Sequence, residues 1–438
     1  MPFYFVVSNK ICTFAAKSKY MEKELFRTII AENQEYIGRI PLVQRPLDLE
    51  EYGNYVFVGV RQAGKSYLLY QRIQQLLANG VDIENIVYVN FDDERLQGMS
   101  VTDFDLILQA YHSMYDSQPI FFFDEIQNVE GWANFARRLA NQKYRIYITG
   151  SNAKMLSRDI ETVLGGRYLD ISVFPYSFSE YLKAVGVLVS KNWQYGRKAN
   201  ELQRHFRTYF DWGGFPELVH FQEKRVWLNS LYNRIFFNDL VVRHKIKNED
   251  ALRLCVRRLA ESVKQPCSLN RLSNLIKATG TPCSPSTVME YVRYLQESCL
   301  LISIDNYVSK FVEKETIKKH YFVDNGLLHL FINNPNTSLL ENLCAITLYK
   351  KYAKGLYYYN KNIEVDFYVP DEGLAVQASY QMSDGETIER EVKALVALHG
   401  LHPLKIAMII TYEDEGEIVR DGLRIEIKPA WKWVLEGL

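Results

Sequence analysis

The sequence predicts an α/β fold with an N-terminal parallel sheet, a helical and winged-helix middle region, and a C-terminal α/β domain. Five short apolar runs alternate with helical patterns up to about residue 173, which is typical of a parallel sheet covered by helices on both faces. A glycine-rich loop directly follows the first of these runs. The chain has 438 residues, too many for a single hydrophobic core, so several domains are expected.

Changes of pattern along the chain predict five segments. After residue 173 the sequence becomes mainly helical and aromatic, and further on three helices followed by two strands indicate a winged helix, a variant of the helix-turn-helix. The last part begins with a helix, followed by three strands, a helix and a strand. The predicted segments are an N-terminal extension at 1–20, the parallel-sheet domain at 21–173, a helical segment at 174–250, a winged helix at 251–323 and a C-terminal domain at 324–438. Met21 is an alternative translation start.

Composition and charge exclude several classes of protein. Basic and acidic residues number 52 each, so no overall field favours nucleic acid or a membrane surface. The sequence has no run of roughly 18 apolar residues, so we expect no transmembrane helix; since the start also lacks a signal-peptide pattern, we expect a cytoplasmic protein. The cysteines form no C-x-x-C pair, which predicts reduced thiols and no zinc site. They are Cys12, Cys255, Cys267, Cys283, Cys299 and Cys344.

The glycine-rich loop, "GVRQAGKS", satisfies the pattern G-x-x-x-x-G-K-[ST] in full. It follows the apolar run "YVFVGV" and opens a helical pattern, which is the context that a phosphate-binding loop requires. In such a loop, backbone N–H groups surround phosphate at a helix N-terminus. Lys65 would neutralise the β- and γ-phosphates, and the Ser66 hydroxyl would bind Mg²⁺. The residues expected to line the nucleotide are Gly59, Val60, Arg61, Gln62, Ala63, Gly64, Lys65, Ser66 and Tyr67.

A second motif, "PIFFFDEIQNV", ends a buried apolar run with two acids, Asp124 and Glu125. Acids at the carboxyl end of such a strand lie where ligands bind in α/β sheets. We expect Asp124 to hold the Mg²⁺ shell and Glu125 to orient or deprotonate the attacking water. The two motifs together predict ATP hydrolysis, with ATP and Mg²⁺ as cofactors.

Three further polar residues are candidates for this site. Ser151 and Asn152 end the next apolar run, where they would hold the lytic water or the γ-phosphate, or only cap the next helix. Arg167 follows two glycines and is either an arginine finger, in its own or a neighbouring subunit, or an exposed structural residue.

These runs, in the order "GVRQAGKS", "FFFDEIQNV", "YITGSN", "GGRYLDISVFPYSFSEYL" and "GGFPELV", resemble prokaryotic AAA-type ATPases from about Met21 onwards. The resemblance implies an AAA-like P-loop NTPase domain of the AAA or STAND type, joined to a C-terminal domain similar to the PD-(D/E)XK, or restriction-endonuclease-like, superfamily. It places the phosphate loop at 59–66, the two acids at Asp124 and Glu125, the sensor at Ser151 and Asn152, and the family arginine at Arg167. The matching "GGFPE" at Gly213–Glu217 has no predicted role beyond a turn that docks helices.

The predicted winged helix carries a weakly basic surface. Its basic residues are diluted by Glu290 and Glu297, which predicts weak DNA binding, or packing between domains instead. These basic residues are Arg257, Arg258, Arg271, Lys277 and Arg293, and those that would face a groove are Ser284, Ser286, Thr287, Glu290 and Arg293.

The C-terminal domain departs from the nuclease pattern that it resembles. Glu341 and Asp366 match the first two acidic positions, but Gln377 and Ser379 replace the third acid and the lysine. Loss of the lysine removes a water activator and a transition-state charge, so the site is expected to be vestigial, unless Lys393 replaces it.

The leading hypothesis is an Mg²⁺-dependent ATPase whose C-terminal modules transmit the nucleotide state to a partner. The alternatives are an ATP-regulated DNA-binding protein or nuclease, and a switch with slow turnover. Candidate partners besides ATP are DNA and an unidentified protein, and the sequence leaves monomer or homo-oligomer undecided.

Overall fold

The structure is a computed structural model that describes residues 21–156, 162–382 and 385–437. The predicted N-terminal extension, including Cys12, lies outside the described residues. Among the described helices, none is long and apolar enough to cross a bilayer.

The N-terminal domain contains a five-stranded sheet in the order β2-β3-β4-β1-β5, and every neighbouring pair is parallel. This confirms the predicted α/β class of this part. The strands are β1 Tyr55–Gly59, β2 Ile86–Asn90, β3 Ile120–Asp124, β4 Arg145–Gly150 and β5 Leu169–Val173. The helices are α1 Lys23–Tyr36, α2 Lys65–Ala78, α3 Phe104–His112 and α4 Trp132–Asn141.

Two cores cover the two faces of this sheet. Successive side chains of a strand point to opposite faces, so Phe57 packs in the core that contains α2, whereas Val56 and Val58 pack with α1, α3 and α4. The first four strands are buried on both sides, which explains why they are continuous apolar runs in the sequence.

The middle region is helical and then mixed. The second half of this region follows the predicted order of three helices and a hairpin. A short extra strand lies between the first and the second of these helices, and an extra helix lies within the hairpin. A π-helix, Ile235–Val242, continues directly from the helix before it. The elements are α5 Phe178–Ala184, α6 Gly196–Trp212, α7 Lys224–Arg234, α8 Glu249–Glu261, β6 Cys267–Ser268, α9 Leu269–Lys277, α10 Pro285–Glu297, β7 Leu301–Asn306, α11 Phe311–Thr316 and β8 Ile317–Phe322. The assignment of this region as a winged helix stays a prediction.

The C-terminal part shares one nine-stranded sheet with the hairpin of the middle region, in the order β13-β14-β12-β11-β10-β9-β7-β8-β6. Its elements are α12 Asn325–His329, α13 Asn336–Tyr352, β9 Tyr357–Asn360, β10 Glu364–Val369, β11 Leu374–Ala378, α14 Gly385–Leu401, β12 Ile406–Thr411, β13 Gly416–Arg420, β14 Leu423–Pro429 and α15 Ala430–Glu436. β7 pairs with β9 in parallel, and the Asn306 side chain donates to Asn360 O at 2.7 Å and accepts from Asn360 N at 3.0 Å. The predicted boundary after residue 323 therefore falls within a continuous sheet.

Candidate functional site

The phosphate loop joins the end of β1 to the start of α2, as the motif predicts. A Cβ on Gly59 would lie 1.9 Å from the carbonyl oxygen of Val173 on β5, so only glycine fits between the two strands. Gly64 has a φ of 94°, in the left-handed region that glycine adopts without steric cost. Both glycines of the motif are therefore required by the backbone itself.

Lys65 points its side chain back into the loop. The residue is 4% exposed, and its Nζ donates hydrogen bonds of 3.2 Å to the carbonyl oxygens of Gly59 and Val60. The same nitrogen lies 3.3 Å from Oε1 of Glu125. The ammonium thus joins the phosphate loop to the acid at the end of β3. Of the other predicted lining residues, Val60 and Ala63 are buried, and Tyr67 is exposed.

Asp124 ends β3, where it is buried and both of its carboxylate oxygens accept hydrogen bonds. Tyr88 donates a hydrogen bond of 2.7 Å to Oδ2, and the hydroxyl of Thr149 donates to Oδ1. Burial and the charge of Glu125 raise the pKa of Asp124, whereas hydrogen bonds from Ser66, Thr149 and Tyr88 oppose this rise. The structure therefore brings Ser66 and Asp124, the two predicted metal ligands, side by side.

Glu125 has a strained backbone beside the phosphate loop. Its φ of 51° and ψ of 41° place a non-glycine residue in the left-handed region, a strain typical of functional sites. Its N–H donates to Oγ1 of Thr149 at 2.9 Å, so one hydroxyl holds both acids. Burial favours a higher pKa for Glu125, but Lys65, Gln127 and Arg61 outweigh burial and lower that pKa, so the side chain is a carboxylate at neutral pH. The sequence analysis missed Thr149, although it lies in the "YITGSN" run.

Of the three additional candidates, two end the strand next to the acids. Ser151 is buried, and its Oγ accepts a hydrogen bond of 3.4 Å from Gln127, the residue that also donates to Glu125. Asn152 follows it directly, after the end of β4.

Arg167, by contrast, does not reach this site. It is exposed, precedes the start of β5, and donates to the carbonyl oxygen of Gly165 at 3.0 Å. Leu169 pairs with Tyr55 at the beginning of β1, whereas the phosphate loop follows the end of β1. Within one subunit Arg167 therefore lies at the opposite edge of the sheet from the phosphate loop, and its role as an arginine finger stays a prediction.

An ion-pair network that the sequence analysis missed anchors the phosphate loop. Nε and Nη2 of Arg61 each lie 3.0 Å from a carboxylate oxygen of Asp239, on the π-helix. Nη2 of Arg243 donates to Oδ1 of the same acid at 2.9 Å. The Asp239 side chain is 3% exposed. No local sequence motif indicates Asp239, which is 178 residues from Arg61.

The "GGFPE" segment packs against the same loop. The position of a Cβ on Gly64 lies 3.5 Å from Cγ of Pro216. Gly214 N donates to Asp324 at 2.8 Å, and Gly214 O accepts from Tyr176 N at 2.7 Å. This segment therefore connects the phosphate loop to the "FPYSF" run and to the start of α12, a more specific role than the predicted turn.

A second polar cluster lies in the C-terminal domain. Glu341 on α13 and Asp366 on β10 both contact one lysine, Lys319 of β8. Its Nζ lies 3.2 Å from Glu341 Oε1 and 3.0 Å from Asp366 Oδ1. Lys393 is exposed on α14 and lines the same cavity as Glu341 and Asp366, so its replacement of the missing lysine stays a prediction. Ser379, in the position of the missing lysine, donates to Gln381 O at 3.3 Å and takes no part in the cluster.

Three of the five basic residues of the predicted winged helix lie beside acids, and two of these three share one acid. Arg257 and Arg258 both pair with Glu261, and Arg293 lies 3.9 Å from Glu297. The five described cysteines are free thiols. Within the described ranges, no group of three His, Cys, Asp or Glu residues could hold a metal ion.

Comparisons with known proteins agree with the geometry of the phosphate loop. Residues 52–182 match the model of an AAA domain, which confirms that part of the predicted resemblance, and residues 203–338 match a domain of unknown function, DUF8612. The uncharacterized protein MJ1544 of Methanocaldococcus jannaschii is 31% identical, with 94% of this chain and 96% of that protein covered. An uncharacterized protein of Haemophilus influenzae is 30% identical, with coverages of 87% and 94%. Among solved structures, the Walker-type ATPase PABY2304 of Pyrococcus abyssi aligns with a TM-score of 0.38 and 12% identity, over 72% of this chain and 97% of that one.

Proposed function

The chain belongs to the family of AAA-domain proteins that includes MJ1544, and we propose from this that it binds and hydrolyses ATP and passes the nucleotide state to its C-terminal modules. The observation that supports hydrolysis best is the Lys65–Glu125 contact of 3.3 Å. It brings together the cation that neutralises phosphate and the carboxylate that activates water.

Ser66 and Asp124 fit a Mg²⁺ ion, because a hydroxyl and a carboxylate, both oxygen donors, lie side by side there. When bound, Mg²⁺ would supply positive charge to the β- and γ-phosphate oxygens. Tyr88 and Thr149 hold the Asp124 carboxylate in place.

The chain's own residues would carry the remaining chemistry. Lys65 exchanges its contact with Glu125 for the phosphate oxygens, which releases the carboxylate. Glu125 accepts a proton from water, the water oxygen attacks the γ-phosphorus, and the bond to the β–γ bridging oxygen breaks to leave ADP and phosphate. Ser151 and Asn152 orient this water or the γ-phosphate. Arg167 acts as an arginine finger on the site of a neighbouring subunit.

Three contacts support coupling to the C-terminal modules. Arg61 of the phosphate loop is held by Asp239 of the π-helix, and Arg253 of α8 lies 4.0 Å from the ring centroid of Phe236 in that helix. Separately, the Cys299 thiol, between α10 and β7, accepts a hydrogen bond from the backbone of Ala153. A change in the phosphate loop would therefore reach the region of 251–323 through the π-helix, and a change at the end of β4 would reach it through Cys299.

The alternative function, ATP-controlled action on DNA, has less support. Phosphate contacts supply most non-specific DNA affinity, and Arg257, Arg258 and Arg293 are already paired with acids.

Steady-state phosphate release with Mg²⁺-ATP, together with equilibrium ATP binding, tests the proposal. Glu125→Gln is expected to lower kcat by about 10²-fold or more while retaining ATP, and Lys65→Ala is expected to lose ATP binding. Glu130→Gln and Lys23→Ala, at exposed positions of the same domain, are the matched controls and should match the wild type. Full turnover by Glu125→Gln would contradict the proposed mechanism, whereas tight ATP binding with almost no wild-type turnover would favour a switch.

A further inference from the structure

The buried Lys319 of the β7–β8 hairpin lies among three carboxylates of the C-terminal domain. The Lys319 side chain is 0% exposed, and its Nζ lies 3.0 Å from Asp366 Oδ1, 3.2 Å from Glu341 Oε1 and 3.3 Å from Glu364 Oε1. Lys319 lies on β8, Asp366 and Glu364 lie on β10, and Glu341 lies on α13. The ammonium thus joins three separate elements.

The resemblance to nucleases implies that Glu341 and Asp366 hold a divalent metal, but their oxygens do not fit one. Glu341 Oε1 accepts hydrogen bonds from Lys319 and, at 2.8 Å, from the Tyr321 hydroxyl. Asp366 Oδ1 accepts from Lys319, and Oδ2 accepts from Ala378 N at 3.1 Å. The Lys319 ammonium, within 3.3 Å of all three acids, therefore occupies the position between them that a metal ion would need.

The third position of the nuclease pattern is also engaged. Gln377 Oε1 accepts from Asp366 N at 2.7 Å, and Nε2 donates to Glu391 at 2.8 Å and to Glu364 O at 3.2 Å. The amide oxygen therefore faces the backbone of β10, and an amide NH₂ cannot bind a cation. Gln377 organises the acids around it and does not act as a ligand.

The charges of the cluster support a permanent ammonium. Burial opposes the charge of Lys319, but Asp366, Glu341 and Glu364 outweigh burial and raise the pKa of the lysine above its ordinary value. Burial and the charge of Asp366 raise the pKa of Glu341, so this acid supplies less negative charge to balance a divalent ion.

We propose that the Lys319 ammonium is a built-in cation that takes the place of a divalent metal in this site. The site then serves as an ionic brace between the β7–β8 hairpin and the C-terminal domain. This inference is independent of the proposed ATPase activity, since none of its residues contacts the phosphate loop.

A Mn²⁺ titration of the full-length protein without nucleotide tests the proposal. Electron paramagnetic resonance measures the free ion at each point of the titration. The wild type is expected to show no Mn²⁺ binding that depends on Asp366, as judged by subtraction of Asp366→Asn. Lys319→Met frees three carboxylates and is expected to bind Mn²⁺ at least tenfold more tightly than the wild type. Lys318→Met is the matched control: this neighbour on the same strand pairs with Asp305 at 3.0 Å, outside the cluster, and its variant should behave as the wild type.

Wild-type Mn²⁺ binding that disappears in Asp366→Asn would overturn the proposal, and this arm requires no variant of the lysine. A folded Lys319→Met protein that gains no Mn²⁺ site would overturn it too. If Lys319→Met folds poorly, the Tm provides a second readout: Mn²⁺ should raise the Tm of this variant more than the Tm of the wild type, since both proteins keep the oxygens of Ser66 and Asp124. Lys319→Met combined with Glu341→Gln, which reduces the repulsion between the acids, should have a higher Tm than Lys319→Met alone, and an equal or lower Tm would contradict the brace.

Discussion

Arg61 and Asp239 join the phosphate loop to the π-helix through two hydrogen bonds of 3.0 Å between a guanidinium group and a buried carboxylate. Such bidentate pairs combine strength with a fixed geometry. π-Helices are rare and often occur at functional positions. The shape of the phosphate loop and the conformation of this helix are therefore interdependent.

Asp239→Asn is expected to bind ATP about 5–10-fold more tightly. The change removes one negative charge near the phosphate site and leaves the positive charges of Arg61 and Arg243 without their acid, so the local field favours an anion. The same variant should have a lower Tm without nucleotide, because two partly buried guanidinium groups lose their partner. Isothermal titration with ATP and a thermal melt measure the two effects.

The control for this experiment is Glu130→Gln, which removes a negative charge from an exposed position of the same domain. It should leave both the ATP affinity and the Tm unchanged. Unchanged ATP binding by Asp239→Asn would show that this carboxylate does not influence the nucleotide, and weaker binding would show that its main effect is to hold Arg61 in place, which contradicts the expected gain.

Gly214→Ala is expected to destabilise the protein by about 1–3 kcal/mol, the usual cost of overpacking. A Cβ at this position would lie 2.1 Å from the carbonyl oxygen of Tyr176, a backbone atom that cannot easily move. Differential scanning calorimetry should show a lower Tm. Gly400→Ala, in α14 with no atom within 4 Å of the new Cβ, should instead keep or slightly raise the Tm, because alanine favours a helix. Equal melting temperatures for the two variants would refute this explanation of the "GGFPE" segment.

His320 is expected to make the protein sensitive to acid. Burial lowers the pKa of His320 to about 4, and its Nδ1 shares a hydrogen bond of 2.7 Å with the Ser303 hydroxyl. The folded pKa lies below the unfolded value of about 6.5, so the unfolded state binds the proton more tightly. The stability that His320 contributes is therefore present above pH 6.5 and is lost as the pH falls towards 4, by up to about 3 kcal/mol.

Tm measurements between pH 4 and 7 compare the wild type with His320→Gln. The Tm of the wild type should fall more steeply with decreasing pH than that of the variant. His112→Gln, at an exposed position of α3, should keep the wild-type slope. Parallel slopes for the wild type and His320→Gln would exclude His320 as the acid-sensitive group.

The sequence predicted those parts of the molecule in which neighbouring residues determine the outcome. The phosphate loop follows from eight consecutive residues, and the acids Asp124 and Glu125 follow from the end of a buried apolar run. Lys319 was missed because its partners lie 22 and 47 residues further along the chain, in what the pattern predicts as a separate domain. Asp239 was missed for the same reason.

Sequence patterns do not give the position of one strand relative to another, so two features of the fold could not be predicted. The two glycines before Arg167 indicate a loop, but only the register of β5 against β1 shows at which edge of the sheet that loop lies. Similarly, the patterns of β7 and β9 predict strands without indicating that Asp305 pairs with Tyr357.

The pairing of β7 with β9 joins the hairpin and the C-terminal strands in one nine-stranded sheet. Neighbouring strands lie about 4.8 Å apart, so the two edge strands are separated by roughly 38 Å. A tilt of about 10° at the hairpin edge would displace the opposite edge by roughly 7 Å, since hydrogen-bonded strands resist shearing. A tilt of the β7–β8 hairpin would thus displace β13, the strand farthest from the hairpin, more than the strands between them.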